Sequence, residues 1–586
     1  MYFHVPFVLV YILALGPRVA EWSKALSVTD HCHLTSVCVG SSLRLVIDTP
    51  RSRGVYGTPL PSPRLISNVI HAAGKKAILD SEHTVMEMQW GQFLDHDIVQ
   101  TPVLKGKMGA AFDCCGEFKN RSECFPIPIP KDDPFFKTDC MNFARSAPVP
   151  TQGCNPGYRE QMNQVTSYID GSAVYGSSPE EQTALRTGEQ GLLKTGPNNL
   201  PPPNDADKCM LNSTEDYCLR AGDSRVNVVP SLGMSHSTFV REHNRIARVL
   251  GALNPHWDDE TIFQETRKII AAMIQHITYT EYLPAVFNDD VMTKYNLKST
   301  PKGFNTVYNP KRKATTANSF AVAAFRFGHS QIPRYQARVS HDYQHMTKTP
   351  IEFTYHNPHM VEEDNGLGLE DIARWVASDN GLEADRFMED GYRNLLFLDR
   401  QGNSFDLAAV NIQRGRDHGI APYNHWRTYC GLPAAKTFDT KPGGLVDHDP
   451  DVGKLLKQVY SHPDDIDLFT GGLSENFIPG CSVGPTFACI LGKQFRAYKE
   501  GDRFWYENRF TGIGFTEAQL NEIKKVRMSM VLCNNYKFEK IQTNVFEVPQ
   551  GKNKFVDCAD IPQIDLSKWE AYRRKRPAYP VFKHHK

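Results

Sequence analysis

The chain has 586 residues, 40% hydrophobic and 11% aromatic, enough for a large buried core. Lys+Arg 66 balance Asp+Glu 66, so the global charge points neither to nucleic acid nor to an anionic membrane surface. The 14 cysteines include no CxxC pair, which excludes zinc-ribbon spacing and favours disulfides in an oxidising compartment.

Residues 1–16 read as a signal peptide, with an apolar run over 3–15, although a basic leader and a small-x-small cleavage site are missing. Residues 17–60 show turn formers and weak periodicity. Residues 65–99 read as helical and close on Glu87-Met-Gln-Trp-Gly-Gln-Phe-Leu-Asp-His-Asp97. On a helix, Gln92, Asp95 and His96 fall three and four residues apart, hence on one face. Val85 and Met88 continue that face as an apolar stripe that turns polar where it ends. Asp97 lies about 100° round the helix. A solvated helix end reads equally from these residues. If buried, an amide, a histidine and two carboxylates are costly without a task.

Residues 101–160 are rich in Pro, Gly and Cys. The alternating prolines of Phe125-Pro-Ile-Pro-Ile-Pro130 cannot hold a helix, so a long ordered loop region is expected. Thr166-Ser-Tyr-Ile-Asp-Gly-Ser172 offers oxygen at alternate positions, namely Thr166, the Tyr168 carbonyl, Asp170 and Ser172. Calcium favours such a loop, but one carboxylate is few, and alone the pattern is more often a hydrogen-bonded turn. The sequons Asn120-Arg-Ser and Asn212-Ser-Thr lie beside cysteines in polar loops, in agreement with secretion.

Past residue 230 the chain turns helical. Helices are expected over 237–250 and then after Asp258 or Asp259 as cap. The second carries a stripe of Ile262, Ile269, Ile270, Met273, Ile274 and Ile277 ended by Pro284. Residues 314–330 place Val322, Phe325, Arg326 and His329 on one face. Further helices are expected over 369–377, 383–398, 405–418, 451–460 and 516–532. Strand alternation is scarce, no repeat occurs, and no other run reaches membrane-spanning length. The fold class is therefore mainly α, in one large domain with little β. A lone histidine on an apolar face is usually a satisfied core residue, so spacing does not single out His329. Asn411 is equally ambiguous.

Gln89-Trp-Gly-Gln-Phe-Leu-Asp-His-Asp97 resembles the distal-site motif of the animal haem peroxidases, the peroxidase–cyclooxygenase superfamily. Further matches are Thr166-Ser-Tyr-Ile-Asp-Gly-Ser-Ala-Val-Tyr-Gly176, Ala221-Gly-Asp-Ser-Arg225 and Arg241-Glu-His-Asn-Arg245. Phe325-Arg-Phe-Gly-His329, Asn411-Ile-Gln-Arg-Gly-Arg-Asp-His-Gly419 and Gly501-Asp-Arg-Phe-Trp-Tyr-Glu-Asn508 follow in family order. Together they outweigh the blander reading of each.

The resemblance implies a haem peroxidase domain over 61–560, with haem b between central helices and disulfide-stapled loops, followed by a tail over 561–586. His329 would be the proximal iron ligand, and Asn411 would accept or share the hydrogen bond of its other ring nitrogen. A neutral amide partner there tends to raise the reduction potential. His96 would be the distal base, with Gln92 holding water or halide beside it. Arg225 would stabilise charge during O–O cleavage. Arg326 and Arg414 would pair with haem propionates or support the proximal side. Asp97 would join Thr166, Tyr168, Asp170 and Ser172 around calcium.

Asp95 stands where the family forms one haem ester. Val228 replaces the glutamate of the second ester, and Val229 replaces the methionine of a sulfonium link. At most one covalent link, at Asp95, is therefore expected. The iron would be less oxidising, with phenols, tyrosine, iodide or thiocyanate as donors rather than chloride. The implied disulfides are Cys114–Cys124, Cys115–Cys140, Cys209–Cys218, Cys430–Cys489 and Cys533–Cys558. Cys32, Cys38, Cys154 and Cys481 are unassigned, with Cys154 a candidate partner for Cys32 or Cys38. The expected protein is secreted, reduces hydrogen peroxide, and oxidises phenolic, tyrosyl or small anionic donors. It has no nucleic-acid partner and no transmembrane segment in the mature form. It resembles the shorter invertebrate members of the peroxinectin and chorion-peroxidase type, which implies an extracellular-matrix or cell-surface partner. The alternative is an adhesion protein on the same fold, although no Arg-Gly-Asp or Lys-Gly-Asp tripeptide supports integrin binding.

Overall fold

Helix α1 spans Val85–Ile98, and the rest of the fold packs around it. The Thr84 hydroxyl oxygen opens it by accepting from the Met86 N–H at 3.2 Å. The Val99 N–H closes it by donating to the Asp95 carbonyl at 2.7 Å. The expected apolar stripe is too narrow a description. The helix is buried nearly all round, and only Gly91, Gln92 and Asp95 keep partial exposure, on the side that lines a cavity.

The computed structural model describes residues 49–73, 77–106, 109–149, 159–214 and 216–571. The signal-peptide reading, most of the segment 17–60, and Cys32, Cys38 and Cys154 lie outside these residues.

Helix α2 (Pro230–Leu253) lies along α1 and starts earlier than its sequence core of 237–250, with proline in its first turn. Phe93 of α1 stacks on Phe239 of α2 with ring centres 5.2 Å apart. The Gln89 side-chain amide donates to the Ser235 hydroxyl at 3.1 Å. Helix α3 (Asp259–Ile277) is capped by Asp258, whose carboxylate accepts from the Thr261 N–H at 2.8 Å. Its predicted isoleucine stripe is buried. Pro284 does not end that stripe. The α3 helix gives way at Ile277 to a wider turn over Thr278–Tyr282. A short helix, Leu283–Val286, then carries Pro284 in its first turn, where a missing N–H costs little. Helices α4 (His359–Ser378), α5 (Leu407–Asp417) and α6 (Pro485–Gly501) complete the frame used below.

Several expected helices are broken, each for a local reason. The stretch 65–99 holds two short turns, Pro63–Ile66 and Ser67–His71, then strand β1 (Leu79–Thr84) before α1. The Asp80 carboxylate takes the N–H groups of Glu82 at 2.7 Å and His83 at 2.9 Å, a turn that competes with helix. Strand β1 pairs antiparallel with β2 (Asn380–Leu382). The stretch 383–398 is therefore not a helix beyond Asp390–Arg393, and Asp385 turns it by accepting from the Phe387 N–H. The stretch 314–330 breaks at Ala323 (φ −136°, ψ −71°) into Asn318–Val322 and a tighter 3-10 turn, Ala324–Gln331. The stretch 516–532 divides into Glu517–Ile523 and Met528–Asn535. Among the described residues, strands form four two-stranded antiparallel sheets, in keeping with a mainly α fold.

All five implied disulfides form, with Cα–Cα distances of 5.3 to 5.9 Å. Cys481 is free and buried. The domain reaches beyond its expected edges. Arg51 pairs with Asp467, and its N–H donates to the Arg416 carbonyl at 2.9 Å. Trp569 is buried, and its carbonyl accepts from the Asn254 amide at 3.1 Å. The beginning of the expected tail thus belongs to the core.

Candidate active site

A cavity of about 260 Å³ is lined by α1 and by the tight turn Ala324–Gln331. From α1 come Met88, Gly91, Gln92, Asp95 and His96. Gly91 is required by close approach, since a Cβ there would lie 2.9 Å from the Tyr282 hydroxyl. From the tight turn come Phe325, Arg326 and His329. In a 3-10 turn, side chains three apart eclipse, which brings Arg326 and His329 to one side. Arg225, Val228, Val229, Leu396 and Leu407 add further wall.

His329 is held from behind. The side-chain amide of Asn411, fully buried in the middle of α5, lies 2.8 Å from His329 Nδ1. Arg326 Nη1 lies 2.8 Å from the other end of that amide. A neutral ring that offers the Nε2 lone pair to iron carries its hydrogen on Nδ1, so Nδ1–H donates to the Asn411 amide, in line with the accepting or sharing role expected from the sequence. Nε2 remains for the cavity. Burial, with the charge of Arg326 nearby, pushes the His329 imidazole down to about 3, so the ring is neutral and its lone pair available.

His96 is 6% exposed, and its Nδ1 has no hydrogen-bond partner. That nitrogen lies 3.8 Å from Asp223 Oδ1. Burial and the charge of Arg225 hold the His96 imidazole well below its usual range. Asp223 is itself buried and grips Arg225. Its carboxylate accepts from the Arg225 N–H at 2.8 Å, from Nε at 2.8 Å and from Nη2 at 2.7 Å. Burial opposes ionisation of Asp223, but its coupling to His96 and to the Arg225 guanidinium holds it well below the usual carboxylate range. Arg225 Nη2 also donates to the Val99 carbonyl at 2.9 Å, and Nη1 lies 3.7 Å from Asp95 Oδ2. Burial pushes the Asp95 carboxyl up to about 6 against the pull of Arg225 and Arg326. Sequence reasoning named Arg225 and missed Asp223. The available signal was an aspartate two residues before an arginine, at a position where its side chain caps the following turn.

Arg414 does not line this cavity. It donates to the Ala144 carbonyl and the Ser146 hydroxyl, both at 3.0 Å, and lies over the Phe143 ring.

The oxygen-rich loop meets the end of α1. The Asp97 carboxylate accepts from the N–H groups of Asp170 at 3.1 Å, Gly171 at 3.2 Å and Ala173 at 3.0 Å. The Ser172 hydroxyl donates to it at 3.1 Å. Thr166 donates to Asp170 at 3.0 Å and to the Tyr168 carbonyl at 3.3 Å. All five predicted residues therefore come together. Burial and the neighbouring Asp170 push Asp97 up to about 7, and burial raises Asp170 as well. Two adjacent carboxylates, the buried Asp97 and the half-buried Asp170, beside oxygen donors suit calcium, which would neutralise the pair. The loop also abuts the turn over 221–225. A Cβ on Gly222 would lie 2.3 Å from the Gly176 nitrogen and 2.4 Å from the Ser172 carbonyl, so the two backbones press together there.

The cavity fits a haem. It presents a neutral imidazole with one ring nitrogen free for iron. Met88, Val228, Phe325, Leu396 and Leu407 offer apolar surface, and two guanidinium groups offer partners for acidic substituents. Val228 and Val229 line the same cavity as Asp95 and carry no carboxyl.

The profile of the family described as animal haem peroxidase matches residues 45–546. A peroxidase-like protein of Margaritifera margaritifera is 37% identical over 542 residues, covering 89% of this chain and 67% of that protein. The peroxidasin homolog of Mus musculus is also 37% identical, over 560 residues. The match covers 89% of this chain but only 36% of that protein, so the chain spans about a third of this relative. Among solved structures, peroxidase A from Dictyostelium discoideum superposes with a TM-score of 0.69 at 30% identity, covering 85% of this chain and 94% of that one.

Proposed function

Because the chain belongs to the animal haem peroxidase family, we propose that it reduces hydrogen peroxide and oxidises phenolic, tyrosyl or small anionic donors. One observation carries this reading: two imidazoles held neutral, the buried His96 and the half-buried His329, line one cavity together with Arg225. A bound haem supplies the electrons that break the peroxide O–O bond and recovers them singly from donors.

The chain's own residues do the rest. His329 Nε2 would ligate the iron, and its Nδ1–H would donate to Asn411, a neutral amide that leaves the ring less anionic than a carboxylate would and so raises the reduction potential. His96 takes a proton from peroxide and returns it to the departing oxygen, which leaves as water. Gln92 holds water or halide beside it. The guanidinium of Arg225 meets the negative charge that develops, and Asp223 keeps that guanidinium in place. Arg326 lies against Asn411 and offers its charge to the cofactor.

Asp223→Asn replaces an acceptor of three N–H bonds by a group that can face Arg225 with its own donors. Peroxide turnover should fall by up to about 10²-fold with haem content unchanged. Unaltered turnover would remove Asp223 from the account.

Calcium, held by Asp97, Thr166, Tyr168, Asp170 and Ser172, ties α1 to the turn that carries Arg225. Prolonged chelation should lower activity and disturb the haem absorption spectrum together. If both survive verified removal of the ion, the coupling is wrong.

Asp95 is the one carboxyl placed for an ester, because Val228 offers none. After peroxide treatment, the peptide containing Asp95 should carry haem by mass spectrometry, and Asp95→Asn should release all haem to acid acetone. Haem retained by that variant would contradict the single link. With one link the donors are phenols, tyrosine, iodide or thiocyanate, and chloride is oxidised poorly. A secreted setting is supported by five disulfides and by exposed sequon residues Asn120 and Asn212. Among the described residues, no helix is long and apolar enough to cross a membrane. The reading is tested by supplying the haem-loaded protein with peroxide and a phenol. Turnover supports it, and its absence would leave matrix or cell-surface binding as the function.

A further inference from the structure

We propose that Asp80, His83 and Glu87, at the junction of β1 and α1, form a binding site for a divalent transition-metal ion, zinc foremost. One ligand atom from each of the three lies within 4.8 Å of the other two. His83 Nδ1 is 2.9 Å from Asp80 Oδ2 and 3.8 Å from Glu87 Oε2. Donors around a tetrahedral zinc ion at about 2.1 Å stand about 3.4 Å apart, a value these two distances bracket.

The independent observation is Glu87. It is 2% exposed, and neither carboxylate oxygen has a hydrogen bond of good geometry, the Ser482 and Gln331 side chains being its nearest polar neighbours besides His83. His83 cannot satisfy it, because Nδ1 carries at most one hydrogen and Asp80 takes it at 2.9 Å. At 3.8 Å the remaining contact is too long for a hydrogen bond. A buried carboxylate left in this way is costly, and a shared cation meets the need that one N–H cannot. Without an ion, a proton fills part of this role. Burial opposes it, but Asp80 and Glu87 raise His83 to about 9, and a dication supplies the second charge.

The donor set selects the ion. An imidazole with two carboxylates suits zinc, whereas calcium and magnesium prefer oxygen alone. The side chains of Asp80 and His83 are 16% and 18% exposed, which gives the ion a path from solvent. The second oxygen of Asp80 is fixed by the N–H groups of Glu82 and His83. Glu87 stands nine residues before His96, about 13 Å along α1, so this site is separate from the oxygen-rich loop. Glu87 also lines the cavity, so an ion arriving from outside changes the charge on the cavity wall.

The test uses the full chain with calcium in excess, at about pH 8 so that zinc competes with the proton on His83. Zinc is titrated against a chromophoric indicator, and thermal melting is followed in parallel. Wild type should bind one zinc ion tightly and melt at higher temperature in its presence. Glu87→Gln and His83→Gln should each weaken that binding by more than about tenfold and lose the thermal shift, since losing a ligand costs at least what losing an outer partner costs. If either variant fails to fold, Asp80→Asn on the exposed edge gives the same reading. Absence of zinc binding by wild type at millimolar zinc, or equal affinity in wild type and folded variants, overturns the site.

Discussion

Replacing His96 by alanine should slow peroxide consumption by about 10²–10⁴-fold while leaving haem bound, the range expected for losing a positioned general base. The expectation rests on where the ring sits. His96 lines the cavity, its Nδ1 makes no hydrogen bond, and burial with the charge of Arg225 keeps it neutral. Removing the ring therefore breaks no hydrogen bond at Nδ1, and α1 keeps its Phe93 and Gln89 contacts with α2. The loss falls on proton transfer and not on fold or cofactor. Arg225 stays in place through Asp223 and the Val99 carbonyl, so the residual rate measures what that charge contributes alone. The check is the rate of peroxide consumption per bound haem in both proteins. A variant within a few-fold of wild type would mean that another group moves the proton.

Replacing His329 by alanine should abolish tight haem binding. His329 is the cavity imidazole with a hydrogen-bonded back and a free front. The Asn411 amide lies behind it against the ring, with Arg326 at the other end of that amide. Truncation leaves the buried Asn411 amide without its ring partner and the iron without its ligand. The haem absorption band should be lost or markedly shifted, with iron content falling in parallel. Added imidazole should restore part of the band if the cavity survives, which separates a lost ligand from a lost fold. An unchanged spectrum at full haem occupancy would assign the ligand elsewhere.

The sequence and the structure agree most where the physics is local. The period of α3 and its Asp258 cap were legible because both are properties of neighbouring residues. The face formed by Gln92, Asp95 and His96 was legible for the same reason. What could not be read was burial of α1 on every side, because polar and apolar residues alternate round it and only packing decides which are covered. The break at Ala323 was likewise hidden, since Arg326 and His329 share a face in either helix type. Strand β1 was misread as helix because its turn depends on the Asp80 side chain and on pairing with β2, some 300 residues later.

The site itself depends on distance in the chain. Asn411 meets His329 across 82 residues, and Asp223 meets His96 across more than a hundred. No spacing rule reaches that far, and family resemblance supplied the Asn411–His329 pair instead. It did not supply Asp223, whose place between His96 and Arg225 emerges only from the folded chain. Nor did it supply Glu87, which reads as one more residue of a helix until its carboxylate is found buried beside His83 with no hydrogen bond of good geometry.

The central claim is that the cavity bearing His96 and His329 holds one haem and turns over peroxide. Expressing the chain with haem supplied, then measuring haem per chain and peroxide-dependent phenol oxidation on the same sample, tests it most directly. One haem per chain, with phenol oxidation that rises with haem content, is the predicted result. Folded protein with intact disulfides that takes up no haem and oxidises no phenol would contradict it.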